Sequence, residues 1–323
     1  MTRKNLIELK EGDKVAGVYL LEACQERLTK TGKPFISVTI IDKTGRMSGN
    51  MWSVPDCAKQ FRNGEPVFVD AEVSSYLGQL QLKLNSISIV ANMTMEDKKA
   101  LVPVISFDID QIYSKLKSEI EEISGDANLC MMAMGVLHDF KNQLMNYPAA
   151  KAVHHAEIGG LLLHTQEVVS LVKSIYGTMP YFDCSLTMVA ALLHDFGKLK
   201  EFTLASTGLV ADYSREGMLL GHIYMGAEEV EEMCRKYNIS REKTLLLQHM
   251  ILSHHGKLKF GSPVRPLTME AYVLHMADEL SAKIHIYQDA TEGIEPGSFS
   301  DKVFALDGAK VYLPAYPSEE KQR

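Results

Sequence analysis

In the stretch ALLHDFGKLKEF (191–202) an apolar run ends in a histidine and an aspartate side by side, followed by a glycine and a lysine. An imidazole beside a carboxylate can share one cation or bridge two. One such pair means little alone, and the chain has another, His138-Asp139 in GVLHDFKNQL, which reads as a decoy. The pair His194-Asp195 has company, however. His164, His222 in LLGHIYMG, the doublet His254-His255 in ILSHHGKLKFGSP, and Asp278 all stand among apolar neighbours. A buried aspartate without a partner costs several kcal/mol, so an inward carboxylate calls for a cation or a hydrogen-bond network. Imidazole and carboxylate mixed in this way suit Mn²⁺, Fe²⁺, Co²⁺, Ni²⁺ or Zn²⁺ rather than Ca²⁺. His138, His249, His275 and His285 read as ordinary hydrogen-bonded histidines. No serine nucleophile elbow and no P-loop are visible, which leaves covalent and Walker-type routes without support.

The elements that must carry these residues follow from periodicity. Spacing of 3.6 puts Leu186, Val189, Ala190, Leu193, His194 and Gly197 on one stripe, with Asp195 about 100° round. It puts His164 with Leu161, Val168, Leu171 and Ile175, and Asp278 with Ala271, Leu274, His275 and Ala282. DIDQIYSKLKSEIEEISG predicts an amphipathic helix capped by Asp108 and ended by Gly125. From there to about Tyr287 the pattern is helical, with no strand alternation, and the last thirty residues read as an irregular tail.

The first ninety residues differ. KVAGVYLLEACQ, PFISVTIID, MSGNMW, EPVFVDAEVSSY and LQLKLNSISIV read as strands separated by polar turns, with a short helical stretch, PDCAKQFRNG, after the third. That order is the order of a small OB barrel. Ile36, Val38 and Ile40 alternate with Phe35, Ser37 and Thr39, so one set faces the core. The predicted fold is multidomain: an all-β OB barrel over 1–92, a connector and helix over 93–125, an all-α bundle over 126–290 and a tail over 291–323. OB barrels bind single strands by stacking bases on aromatics. Phe35, Trp52 and Tyr76 are the candidate stacking surfaces, with Lys33, Arg46 and Lys83 for phosphates; Trp52, the sole tryptophan, fits equally well as a plug of the barrel core.

Charge agrees with this division. The net charge is −7, but the first hundred residues carry 14 Lys and Arg against 12 Asp and Glu, and the remainder 20 against 29. The acidic part suits cations and the neutral-to-basic part tolerates a polyanion. MTRKNLIELKEGDK lacks the apolar run of a signal peptide, no stretch reaches membrane-spanning length, and five scattered cysteines never form CxxC. The expectation is a cytoplasmic protein that does not enter a membrane.

The order H…HD…D, with Gly-Lys after the HD pair, resembles the HD-domain metal-dependent phosphohydrolases. With YPAAKAVHHAEIGGLLLHT, LLHDFGKLKEF, GHI, ILSHHGKLKFGSPVRPLTMEAYVLHMADELSAK and an OB barrel in front, the chain resembles the YhaM-type 3′→5′ exoribonucleases over about residues 10–310. It departs from them after SHHGK, where Leu258-Lys259-Phe260 stands in place of an acidic residue.

The resemblance implies divalent metal ions, two per chain, Mn²⁺ foremost. His164, His194, Asp195 and Asp278 would hold one. Asp195, as a bridge, would hold the second with His222 and His254, and His255 would be a ligand or an orienting neighbour. Lys198 would contact a non-bridging phosphoryl oxygen while an acidified water attacks in line. The implied activity is 3′→5′ hydrolysis of single-stranded RNA, or DNA, to nucleoside monophosphates. The alternatives are a phosphohydrolase acting on a nucleotide or dinucleotide, and a non-catalytic nucleic-acid-binding protein.

Overall fold

The computed structural model describes residues 4–316 apart from 30, 56–57, 59, 77–78, 91–92, 95–96, 98–100, 103–106 and 150–156. Five strands come first: β1 Lys14–Leu28, β2 Pro34–Asp42, β3 Gly45–Met51, β4 Pro66–Tyr76 and β5 Gln79–Ile89. They close into a barrel in the order β1-β2-β3-β5-β4, with β4 returning to β1 and only the β3–β5 pair parallel. This is the OB strand order expected from the sequence. Alternation sets the inner face: Val15, Ile36, Val38, Ile40, Val69, Ala71 and Leu82 are buried within it. Of the short helix expected at 55–64, residues 56, 57 and 59 lie outside the described set. The remainder makes turn bonds, Ala58 N to Pro55 O and Phe61 N to Ala58 O, and buries Phe61 in the barrel.

Helices follow: α1 Ile109–Glu121, α2 Ala127–Asp139, α3 Lys141–Asn146, α4 Gly160–Thr178, α5 Cys184–Leu193, α6 Lys198–Glu201, α7 Arg215–Lys236, α8 Arg241–Ser253 and α9 Met269–Thr291. Side-chain caps start most of them. Asp108 accepts from Asp110 N and Gln111 N, and Asp126, Asp183, Ser214, Ser240 and Thr268 cap α2, α5, α7, α8 and α9. α1 ends at Glu121, ahead of the predicted stop at Gly125. It belongs to the bundle, because Ile112, Leu116 and Ile120 share one core with Leu162, Val168, Val189, Leu193 and Leu274.

The expectation of an unbroken helical region is corrected at one place. Phe202–Leu204 and Val210–Tyr213 form an antiparallel hairpin, β6–β7, directly after α6. Three-residue and four-residue strands are too short for alternation to show in sequence. The hairpin tip clasps the barrel: Thr207 Oγ1 donates to Gly64 O at 2.6 Å, and Ser206 donates from N and Oγ to the Glu65 carboxylate at 2.8 and 2.6 Å. A third small core, Leu20, Leu101, Val102, Ile158 and Leu209, fills the seam between barrel and bundle. Residues 299–312 close on themselves through bridges at Phe299–Tyr312 and Val303–Ala309, so the predicted tail carries local order.

Candidate metal centre

Two of the helices end on the chemistry. His194 and His254 are the C-caps of α5 and α8, where the last carbonyls lack helical partners. Each ring turns back on its own helix: His194 Nδ1 donates to Ala191 O at 2.8 Å and His254 Nδ1 to Ile251 O at 2.7 Å. Because a carbonyl can only accept, the proton is fixed on Nδ1 and the Nε2 lone pair faces away from the helix end. His255 is locked in the same way on Phe260 O at 2.8 Å.

His222 reaches the centre through a break in its helix. Gly221 has φ 73°, a conformation disfavoured for side chains with Cβ, and α7 restarts at His222. The buried Glu201 carboxylate accepts from His222 N at 2.9 Å and from His222 Nδ1 at 3.0 Å, capping the restarted helix and aiming the ring together. The turn after Asp195 lies hard against that helix. A Cβ on Gly197 would sit 2.1 Å from His222 O, which accounts for the glycine in HDFGK.

His164 comes from the buried face of α4. Its Nδ1 donates to Ser281 Oγ at 3.0 Å, and that hydroxyl donates to Glu167 Oε2 at 2.7 Å. Asp278 faces it from α9. These neighbours orient the rings, as partners beyond the ligands do in metal sites.

The side chains converge in two sets that meet at Asp195. His164, His194 and Asp278 form one, and Asp195, His222, His254 and His255 the other, with one ligand atom from each residue within 4.8 Å of the rest of its set. In the first, His164 Nε2 is 3.1 Å from both His194 Nε2 and Asp278 Oδ1. Asp195 reaches both sets: Oδ2 lies 3.4 Å from His194 Nε2, and Oδ1 lies 3.6 Å from His222 Nε2 and 3.8 Å from His254 Nε2. Among the described residues, three of the four buried side-chain atoms without a hydrogen-bond partner are Asp195 Oδ1, His222 Nε2 and His254 Nε2. Orphaned buried acceptors cost free energy, and here they point at one another across a gap that a cation fits.

Electrostatics agree. Burial pushes His254 well below its ordinary pKa, with His255 adding to it, and burial likewise lowers His255. Both rings are therefore neutral donors of a lone pair at neutral pH. Burial opposes charge on Asp195, yet Lys198, His194 and His222 outweigh it and hold the carboxyl well below the usual range. For Asp278, burial is overcome by the His164 hydrogen bond and the charges of His194 and His164. At His194 the order reverses: burial disfavours the cation, but Asp195 and Asp278 together raise the pKa. Positive charge is favoured between the two carboxylates. Lys198 Nζ already contacts Asp195 Oδ2 at 2.7 Å, so this lysine is tied to the carboxylate rather than solvated. The centre opens into a cavity of about 380 Å³ whose walls include His164, Asp195, Lys198, His255 and Asp278.

All the site residues expected in the bundle are thus brought together. The decoy pair is not: His138 and Asp139 bond each other at the surface, with the His138 side chain 90% exposed. Glu201, Ser281 and Glu167 carry no motif and escaped the sequence reading; the only signal was a glutamate at the apolar end of GKLKEF. His275, grouped with the ordinary histidines, donates to His254 O at 2.8 Å and lines the cavity.

On the barrel, Phe35 and Trp52 pack ring against ring at 5.1 Å between centroids, and Trp52 is 62% exposed. Trp52 is therefore on the outer surface and does not plug the core. Lys33 and Lys83 are exposed too, Lys83 alongside Asn50 in the β3–β5 pair. Tyr76 ends β4, four residues beyond the Glu72–Lys83 pair. Arg46 stands apart. It pairs with Ile41, six residues and so about 20 Å along β2 from Phe35, and bonds Glu22 at 3.3 Å.

Residues 161–283 match the HD domain family model. The barrel is similar to the second OB-fold domain of replication protein A from Methanococcus maripaludis, at 19% identity over 29% of this chain and 99% of that one, with a TM-score of 0.24. It is also similar to Rim1, a mitochondrial single-stranded DNA-binding protein of S. cerevisiae, at 17% identity over 26% and 100% of the two chains, with a TM-score of 0.23. The HD match, on a chain with this His/Asp cluster, indicates a metal-dependent phosphohydrolase. No described helix is long and apolar enough to cross a membrane. Cys130, Cys184 and Cys234 are free thiols; Cys57 lies outside the described residues.

Proposed function

We propose that the protein is a metal-dependent 3′→5′ exonuclease of single-stranded RNA, or DNA, releasing nucleoside monophosphates. The observation that carries the reading is the convergence of Asp195 Oδ1, His222 Nε2 and His254 Nε2, all orphaned, beside the set His164, His194 and Asp278. Those seven residues, His255 included, would hold two divalent cations, Mn²⁺ foremost, with Asp195 common to both. Bound there, the cations supply charge for the phosphoryl oxygens and acidify the attacking water.

The chain's own groups do the rest. The Nδ1–H bonds to Ala191, Ile251, Phe260, Ser281 and Glu201 keep every Nε2 turned inward, where a cation would displace any proton it carries. Lys198 can leave Asp195 for a non-bridging oxygen while staying at the wall of the same cavity. Phe35 and Trp52, with Lys33 and Lys83 beside them, hold a single strand on the barrel, as stacking platforms do. The division of labour we propose assigns strand binding to residues 1–92 and hydrolysis to 126–290.

The test is to digest one RNA carrying either a 5′ or a 3′ label. Release of labelled mononucleotide from the 3′-labelled strand, with progressive shortening of the 5′-labelled one, is the expected result. The small cavity favours a second reading, hydrolysis of a free nucleotide or dinucleotide. In that case short substrates turn over and neither labelled RNA shortens.

A further inference from the structure

The loop that departs from the resemblance, Leu258-Lys259-Phe260, has a position that explains it. The cavity does not stop at the metal centre. It continues along α9 past Asp278 to Ala282 and Ile286, eight residues or about 12 Å further on. Its apolar lining beyond the metal centre includes Ala282, Ile286 and Ala305, with Phe260 the one phenylalanine on it. Phe260 is 51% exposed, and the ammonium groups of Lys257 and Lys259 lie over its ring, 5.6 and 4.7 Å from the centroid, where a base that stacks on the ring displaces one of them. Along the same arm Glu279 and Lys283 form an ion pair at 2.6 Å, offering a hydrogen-bond acceptor and a donor side by side.

We propose that this arm seats the 3′-terminal nucleoside of the strand, its base stacked on Phe260 and its sugar hydroxyls at the Glu279–Lys283 pair. The inference rests on the exonuclease reading, since that reading places the scissile phosphate at the metal centre with one nucleoside beyond it. An apolar lining with one phenylalanine on it suits a base, which has a π-face whatever its identity. The adjacent pair suits hydroxyls that both donate and accept. At about 380 Å³ the cavity is at the small end of ligand pockets, a size that suits a terminal nucleotide better than a longer stretch of strand. The loop also joins this seat to the chemistry, because the Phe260 carbonyl is the acceptor that fixes His255. A substitution of the Phe260 side chain leaves that carbonyl in place.

The experiment uses the full chain loaded with Mn²⁺, a 5′-labelled RNA with an ordinary 3′-terminal residue, and the same RNA with an abasic one. Removal of the terminal base slows the first cleavage by the wild type about tenfold. Phe260→Ala loses about tenfold on the ordinary end and nothing further on the abasic end, whereas Phe260→Tyr, which keeps the ring, behaves as the wild type. Calorimetry with AMP shows binding about tenfold weaker in Phe260→Ala, at unchanged metal content. Equal losses on both ends, no loss on either, or an impaired Phe260→Tyr would each overturn the proposal. If the wild type shortens neither RNA, the exonuclease reading fails by itself. AMP binding then decides the seat alone: dependence on Phe260 supports it, and independence overturns it.

Discussion

The barrel and the bundle keep their functional side chains in opposite places. In the barrel the core cluster is apolar, with the buried Asp42 at the end of β2 capping Leu6 N, and the residues fit for recognition, Phe35, Trp52, Lys33 and Lys83, stand at its outer surface. In the bundle the reactive groups are inside: His194 and His254 are 0% exposed and Asp195 3%. A nucleic-acid surface must stay wet until the strand displaces the water, and its contacts are gained one base at a time. A phosphoryl-transfer centre needs fixed ligands in a low dielectric, where each charge interacts strongly. On the proposed reading the barrel can therefore lose a contact and keep most of its strand binding, while the bundle cannot lose a ligand and keep its turnover.

The largest effect should come from the residue shared by both metal sets. Asp195→Ala is expected to lower turnover by about a thousandfold or more while circular dichroism stays that of the wild type, because the surrounding core is apolar and supports itself. Near-normal turnover in the folded, metal-loaded variant would remove Asp195 from the mechanism. A step smaller is Glu201→Gln. The amide holds His222 less firmly, so metal affinity should fall about 10- to 100-fold in a chelator competition, with saturating metal restoring much of the rate. Unchanged affinity would make Glu201 only a helix cap.

The barrel predictions are gentler and selective. Phe35→Ala and Trp52→Ala should each weaken binding of a long single strand by about 1–3 kcal/mol, measured by fluorescence anisotropy, and leave dinucleotide cleavage alone. Equal losses on long and short substrates would mean that the barrel supports the bundle and nothing more. Smallest of all is Arg46→Ala. Its exposed ion pair with Glu22 is worth about 0–1 kcal/mol, and it lies far from the aromatic pair, so strand binding should hardly change.

The two regions were also unequally legible in the sequence. Barrel strands announce themselves because alternation has period two and each strand is long enough to show it, as Ile36, Val38 and Ile40 do. The candidate ligands were legible for a different reason: polar side chains on helical stripes that are otherwise apolar need a partner. What stayed hidden was whatever depends on contacts between distant segments. Glu201 gains its meaning only when Gly197 lets α7 approach, and the β6–β7 hairpin only when Thr207 meets Gly64. Trp52 could not be assigned to the surface or the core, because at the end of a strand the alternation no longer constrains it.

The central claim is that the buried cluster is a centre for two cations sharing Asp195. Metal content per chain, measured by elemental analysis on the wild type, His222→Ala and His164→Ala after the same loading, tests it most directly. The account predicts about two ions in the wild type and about one in each variant, with most of the turnover lost in both. A wild type that binds a single ion, together with a His222→Ala variant that keeps both that ion and its rate, would contradict it.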